Sequence, residues 1–246
     1  MKKISSIDRA GYIKFVGDKR LEVDGTKADC DRVGGVWSGT KCVLPKYNGK
    51  ADLAKNNKNT GRQNQINGVD NFVQGNGNTV TADSAIVTGR NANVIRFGEF
   101  THAFSDKVGR AQRSVLMFQG RTTDANYTEM YLGGVDGKRF IVDEAKECII
   151  GFEAYVLAYR VDSGGLGECM NKFQHATFET TSGTLTQVGS TGTKTNNKNH
   201  ASAWNNRYTA TSGTPDYIKV ECKGHNGHTI DWTVILYVNE LRTDAI

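Results

Sequence analysis

The chain has 246 residues, of which 37% are hydrophobic, with 28 glycines against 2 prolines and a formal net charge of +5. No apolar run approaches the roughly 20 residues of a membrane-spanning helix, so no membrane insertion is expected. The positive excess, led by Lys2, Lys3, Arg9, Lys14, Lys19 and Arg20, lacks the interleaved aromatics or recognisable module of a nucleic-acid binder and reads as a solvated basic region.

Residues 1–56 read as a small leading module. Met1-Lys-Lys-Ile-Ser-Ser6 has two lysines but no apolar stretch behind them, so it does not read as a secretory signal, and synthesis in a cytoplasm is expected. Gly11–Val16 is strand-like, and Leu21–Gly25 reads as a strand running into a turn. Cys30 and Cys42 bracket a segment with Gly34-Gly35 and Ser38-Gly39 as turn signals, which predicts a hairpin with the two cysteines on facing strands. They form either a pair of free thiols or a disulfide made in an oxidising setting. No histidine stands near them to complete a zinc site. Pro45, Asn48-Gly49 and the polar run Lys55–Gly61 mark a boundary. The module is too small and polar to hold a large core, so it is expected to need a partner surface.

Residues 57–112 carry a seven-residue repeat. Ile66, Val73, Val80, Val87 and Val94 share one phase, followed two positions later by Gly68, Gly75, Ala82 and Gly89 and preceded by Asn64, Asn71 and Asn78. A coiled coil is excluded, because only one apolar position has a regular phase and the repeats hold glycine, asparagine and threonine, all poor helix formers. The pattern predicts one short strand and one tight turn per half-coil of a β-solenoid, with the apolar ladder inside, Gly or Asn at the turn position that needs positive φ, and asparagines stacked at the turns. The phase is expected to slip after Val94, at Ile95–Gly98. So thin a solenoid has an open side to cover, and threefold self-association does that.

Residues 113–246 read as an antiparallel all-β domain. Ser114–Phe118, Glu129–Leu132 and Arg139–Val142 are predicted strands, followed by two long ones, Cys148–Val161 and His228–Leu241. Ile150, Phe152, Ala154, Val156 and Ala158 share one face of the first, and Ile230, Trp232, Val234, Leu236 and Val238 one face of the second. This predicts a sandwich with a dry face per sheet. Tyr155, Leu157, Tyr159, Ile235 and Tyr237 fall on the opposite faces, too much apolar surface to leave wet, so a subunit interface is expected there. Cys148, Cys169 and Cys222 read as small buried hydrophobes.

The repeat unit Asn71-Phe-Val-Gln-Gly75 resembles the left-handed β-roll heads of trimeric bacterial adhesins and the similar rolls of phage fibres. Ala111–Val115, Thr122–Ala125 and Tyr131–Gly134, then Ala158-Tyr159-Arg160, Lys172-Phe-Gln174 and Gly227-His-Thr-Ile-Asp-Trp232, resemble a C-terminal domain of bacteriophage tail-fibre and other virion fibre proteins. The resemblance covers roughly the last half of the chain. Asp231 departs from it, standing where an Arg often precedes the final Trp, and Cys148, Cys169 and Cys222 fall outside the pattern. The resemblance implies a homotrimeric virion protein made in the host bacterial cytoplasm. Its N-terminal module would anchor on other virion proteins, its stalk would be the left-handed roll, and its C-terminal knob would meet a host-surface glycan or protein. The alternative is a fibre whose end is a glycan depolymerase or self-cleaving chaperone.

Catalytic chemistry is weakly signalled. His225, His228 and Asp231 cluster in sequence, but strand alternation separates Asp231 from His228, and the segment reads as a glycine-rich turn. Asp143, Glu144, Glu147 and Glu153 are close in sequence without a predicted cleft between them. His102, His175 and His200 are scattered. No catalytic residue, metal or cofactor is expected. Trp204, Asn205, Arg207 and Tyr208, with Asn206, read either as an exposed patch suited to sugars or a protein surface, or as a strand whose tryptophan is a core aromatic.

Overall fold

The computed structural model describes residues 4–7, 12–16, 22–23, 26–32, 36–37, 42–43, 56–143, 147–162, 167–198 and 203–242. The boundary signals at Pro45 and Asn48-Gly49, along with Glu144 and His200, lie outside the described residues.

The leading module holds strands β1 (Ile4–Ile7), β2 (Tyr12–Val16) and β3 (Glu22–Val23), helix α1 (Lys27–Arg32), then β4 (Val36–Trp37) and β5 (Cys42–Val43). The strands form one sheet in the order β1-β2-β5-β4, with β3 also on β2. A reciprocal cap starts α1: Thr26 Oγ1 accepts the Asp29 N–H at 3.2 Å, and the Asp29 carboxylate accepts the Thr26 N–H at 3.1 Å. Cys30 therefore leaves from a helix and not from a hairpin strand, and it is Trp37 on β4 that faces Cys42 on β5 across an antiparallel pair. The helix brings its Cα within 5.2 Å of Cys42, inside disulfide range, and the two buried sulfurs are bonded.

Seven short strands follow at seven-residue spacing: β6 (Lys58–Asn59), β7 (Gln65–Ile66), β8 (Phe72–Asn76), β9 (Thr79–Val80), β10 (Ile86–Arg90), β11 (Asn93–Val94) and β12 (Phe100–Phe104). They alternate between two parallel sheets, β6-β8-β10-β12 and β7-β9-β11. Val73 stands opposite Val87 in the first sheet, and Ile66 and Val94 flank Val80 in the second, so one full coil is two repeats long. All five ladder residues are buried between the sheets. Asparagine amides tie successive coils: Asn71 Oδ1 accepts the Ala85 N–H at 2.8 Å while its Nδ2 donates to the Ala82 carbonyl at 2.9 Å. Asn78 repeats the first bond with Ala92 at 2.9 Å.

The coil corners differ from the predicted ones. Positive φ recurs once per half-coil at Asn56, Gln63, Asp70, Gly77, Ser84, Asn91 and Gly98. Gly75 and Gly89 also have positive φ, but Gly68 and Ala82 do not. What Gly68, Gly75 and Gly89 share is close stacking, since a Cβ on each would collide with the carbonyl oxygen of Ala82, Gly89 or Ala103, one coil on. Nor does the repeat slip after Val94. Gly98 takes the corner and Thr101 the interior position, fully buried and bonded to Ser114 Oγ at 3.0 Å. A polar residue on the ladder hid the phase.

The remaining strands are β13 (Ala111–Thr122), β14 (Tyr127–Glu129), β15 (Tyr131–Leu132), β16 (Phe140–Ile141), β17 (Cys148–Arg160), β18 (Cys169–Thr181), β19 (Thr184–Lys198), β20 (Asn205–Thr211), β21 (Tyr217–Lys223) and β22 (Ile230–Arg242). β13 pairs antiparallel with β12, so the first solenoid sheet runs on into an antiparallel one: β19-β18-β17-β22-β13-β12-β10-β8-β6, with β15 on β13. Hydrogen bonding thus crosses the boundary expected near residue 112. A second sheet, with β20 on one side of β21 and β14 and β16 on the other, supplies Phe140, Tyr208, Ile218, Val220 and Cys222 to the core. They join the inward residues of β13, β17, β18 and β22, including Phe118, Phe152, Phe178 and Trp232. Period-two alternation along β17 and β22 is what makes one face of each strand dry.

Candidate subunit interface

The outer face of the large sheet is apolar across both of its parts. Phe72, Ile86, Phe100, Val115 and Tyr237 are successive cross-strand partners on β8, β10, β12, β13 and β22. Beside this row a second one, Met117, Ile235, Tyr155 and Phe173, crosses β13, β22, β17 and β18. Ile86, Phe100, Met117, Tyr155 and Leu157 each leave 44–46% of their surface open, and Phe104 leaves 80%. A contiguous apolar patch of this kind marks an interaction surface. Its aromatics are organised, with Tyr155 and Phe173 centroids 4.6 Å apart and Tyr237 edge-on to Tyr155 at 5.8 Å. Arg113, Glu153, Tyr155, Ile235 and Tyr237 line a shallow hollow of about 460 Å³ on this face.

The sequence points to the outward aromatics of β17 and β22 but not to the solenoid's share of the surface. The signal is the residue just before each interior position: Gln65, Phe72, Thr79, Ile86, Asn93, Phe100. It alternates polar and apolar because successive half-coils lie in opposite sheets. One side of the solenoid therefore presents Gln65, Thr79 and Asn93, and the other presents phenylalanine and isoleucine.

The patch read at Trp204, Asn205, Arg207 and Tyr208 is divided by the same alternation, and its aromatic half is corrected. Trp204 and Tyr208 are buried. Trp204 packs 6.1 Å from Trp232, and Tyr208 stands edge-on to Phe152 at 5.0 Å with its hydroxyl on Gln174 Oε1 at 3.4 Å. Neither ring has a face free to stack on a sugar. Asn205 and Arg207 point outward. Asn205 Oδ1 accepts from Lys172 Nζ at 2.8 Å, and Arg207 lies 4.0 Å over the Tyr127 ring while binding both Glu221 oxygens at 2.6 and 3.2 Å. Burial pushes the Glu221 carboxyl up, but Arg207 and Lys219 outweigh it and hold the group below its ordinary value.

Among the described residues the titratable side chains singled out in the sequence lie in separate pairs. The His225 and His228 rings lie 4.4 Å apart, and His228 Nδ1 is 3.7 Å from Glu168. Asp231 is turned to the outer face, where Arg121 binds it at 2.6 Å, so the position that departs from the fibre pattern carries an ion pair after all. Asp143 pairs with Arg242 at 3.2 Å and Glu153 with Lys194 at 3.1 Å. Among the described residues no three His, Cys, Asp or Glu side chains gather as a metal site. Cys169, expected to be buried, is exposed at the start of β18, whereas burial raises the Cys148 and Cys222 thiols above their ordinary value, which keeps them protonated and unreactive.

The strongest electrostatic feature is structural. Arg96, fully buried where the last coil meets the antiparallel strands, is bound by Glu99 at 3.3 Å and by Glu240, donates to the Ile141 carbonyl at 2.8 Å, and lies 4.5 Å over the Phe140 ring. Ser114 donates to Glu99 at 2.5 Å and Gln112 to Glu240 at 2.7 Å. Burial, then Arg96, governs both carboxyls. Burial prevails at Glu99, which is raised with a further push from Glu240, and Arg96 prevails at Glu240, which is lowered. The cluster is sealed from solvent and positions no substrate.

No protein-family model and no curated protein matches the sequence. Among solved structures, the tailspike protein of Acinetobacter baumannii phage AM24 aligns with a TM-score of 0.28 and 9% identity, over 70% of this chain and 36% of that one. The tailspike protein of Acinetobacter phage vB_ApiP_P1 aligns with a TM-score of 0.21 and 8% identity, over 75% and 46%. The chain thus spans less than half the length of either protein, and likenesses this slight carry no argument about family or activity.

Proposed function

We propose that this chain is a non-enzymatic structural subunit of a short bacteriophage fibre or spike, assembled as a homotrimer through the outer face of its large sheet. One observation carries the reading: the solenoid and the antiparallel strands share a single hydrogen-bonded sheet whose outer face is apolar from β8 to β18. A monomer would leave that face wet, whereas three copies closing on it would make a rod and an outward end in one piece. The order of roll and fibre-like C-terminal segments supports placing the rod on a virion. In this reading residues 1–56 attach to other virion proteins and residues 113–246 face the host, with Asn205 and Arg207 among the groups open to a receptor. Light scattering on the full chain at micromolar concentration should give three subunits, and a well-folded monomer would sink the proposal. An unchanged intact mass and an inactive screen on host glycans are expected, and cleavage of either would place the chain among the enzymatic fibres.

A further inference from the structure

The outer face of the large sheet separates its charges by strand. Lys58 of β6, Arg90 of β10 and Arg113 of β13 point out from one half, where the outward positions of β8, β10, β12 and β13 hold no carboxylate. Glu153 of β17 and Glu179 of β18 point out from the other half, whose outward positions on those two strands hold no Lys or Arg. At the seam Arg121 and Asp231 neutralise each other. Lys194 of the neighbouring β19 likewise meets Glu153 at 3.1 Å and lies over the Phe173 ring, which leaves Glu179 to set the sign of this half. Both halves carry apolar residues beside these charges, so each offers a dry patch, with the outward charges of β6–β13 net positive and those of β17 and β18 negative.

Two copies laid solenoid on solenoid would bring cations against cations at the rim of a desolvated contact, which costs several kcal/mol. Shifting the contact so that the solenoid of one copy meets β17 and β18 of the next matches sign to sign and buries aromatic against aromatic. We infer that copies of this chain associate in this way, the β6–β13 half of one on the β17–β18 half of another. In a closed trimer the contact runs head to tail, so every copy uses both halves. The inference rests on the homotrimeric reading above and adds which surfaces meet.

Charge reversal on the full chain tests it, because Arg113 and Glu179 lie outside the core, so their replacement should leave the fold intact, which circular dichroism checks. Arg113→Glu and Glu179→Arg should each weaken association about 10-fold or more in sedimentation, and the double variant should recover to within about 3-fold of the parent. In the parent, a zero-length carbodiimide reagent should join Lys58 to Glu153 or Glu179 between subunits, identified in assemblies mixed from light and heavy isotopes. A trimer that Arg113→Glu leaves unchanged or tightens, with no such link, overturns this arrangement and spares the trimer. A dimer carrying the link overturns the trimer and spares the arrangement. A monomer overturns both.

Discussion

The side chain of Gln112 binds both backbone polar groups of Asn93, its Oε1 accepting the N–H at 2.9 Å and its Nε2 donating to the carbonyl at 3.0 Å. β11 is the last strand of its sheet, and the glutamine amide stands where a following coil would pair. The solenoid is thus closed by one side chain from the antiparallel strand beside it. Gln112→Leu should lower stability by about 2–3 kcal/mol, since it strands buried groups at Asn93 and Glu240. Chemical denaturation measures the loss, and amide exchange should quicken at Asn93 before Val80. Gln112→Glu should be worse, because it sets a second carboxylate beside Glu240.

Val80 has no exposed surface, while its neighbour Thr79 faces away from the solenoid interior. Val80→Asp places an unpaired charge between the two sheets and should abolish assembly or depress the melting temperature steeply. Thr79→Asp should shift it by only a few degrees. Equal shifts in thermal melts would show that the interior is assigned to the wrong phase.

Among the described residues Arg96 is the cation bound to Glu99, and it shares Glu240 with the field of Arg242. Arg96→Met should cost about 3–5 kcal/mol, because two buried carboxylates lose their counter-charge. Their folded-state pKa values then rise above the unfolded ones, so the variant gains relative stability as pH falls and loses it as pH rises. Urea denaturation at several pH values should show the deficit widening from acid to neutral solution, and a pH-independent deficit would contradict the account.

Glu221 gives the opposite sign. Its folded pKa lies below the ordinary 4.5, so its contribution is present at neutral pH and disappears as pH falls through the lowered value. Glu221→Gln should cost about 1 kcal/mol at pH 7. The gap between variant and parent melting temperatures should close in acid, below the usual carboxylate range.

Trp204→Ala should destabilise the chain by about 3–5 kcal/mol through the hole it leaves against Trp232. Arg207→Ala should cost far less, about 1 kcal/mol, through its pair with Glu221. If Trp204→Ala instead folds as firmly as the parent, the tryptophan is not the core residue its packing implies.

Much of the architecture is legible in the residues, and the failures have physical causes. The valine ladder defines the coil interior because a seven-residue half-coil returns one side chain to the same dry space. The corners are not legible because Gln63, Asp70 and Ser84 hold positive φ without glycine's help. The short helix at Cys30 is faint in the sequence because its signal, Thr26 with Asp29 three residues on, is brief beside the glycine-rich stretch that follows. Tyr155, Leu157 and Tyr159 revealed the outer face because long strands alternate visibly. Phe72, Ile86 and Phe100 did not, because their period is twice that of the repeat in which they sit. Trp204 was ambiguous for a simpler reason: alternation gives two faces, and only the partner Trp232 says which is inside.

The pairing of β8 with β10 and of β9 with β11 gives the rod a natural unit of growth. Duplicating one whole coil, residues 72–85 for example, would lengthen it by one strand spacing, about 4.8 Å, and leave Phe72 and its copies on the same side. Inserting half a coil would be neutral for the valine ladder yet exchange the two sides of every coil before it. The apolar flank would then point away from β13, β22 and β17. Such a chain can vary its reach only in even multiples of its repeat, so gene-level expansion and contraction of this segment would act as a ruler with a single graduation.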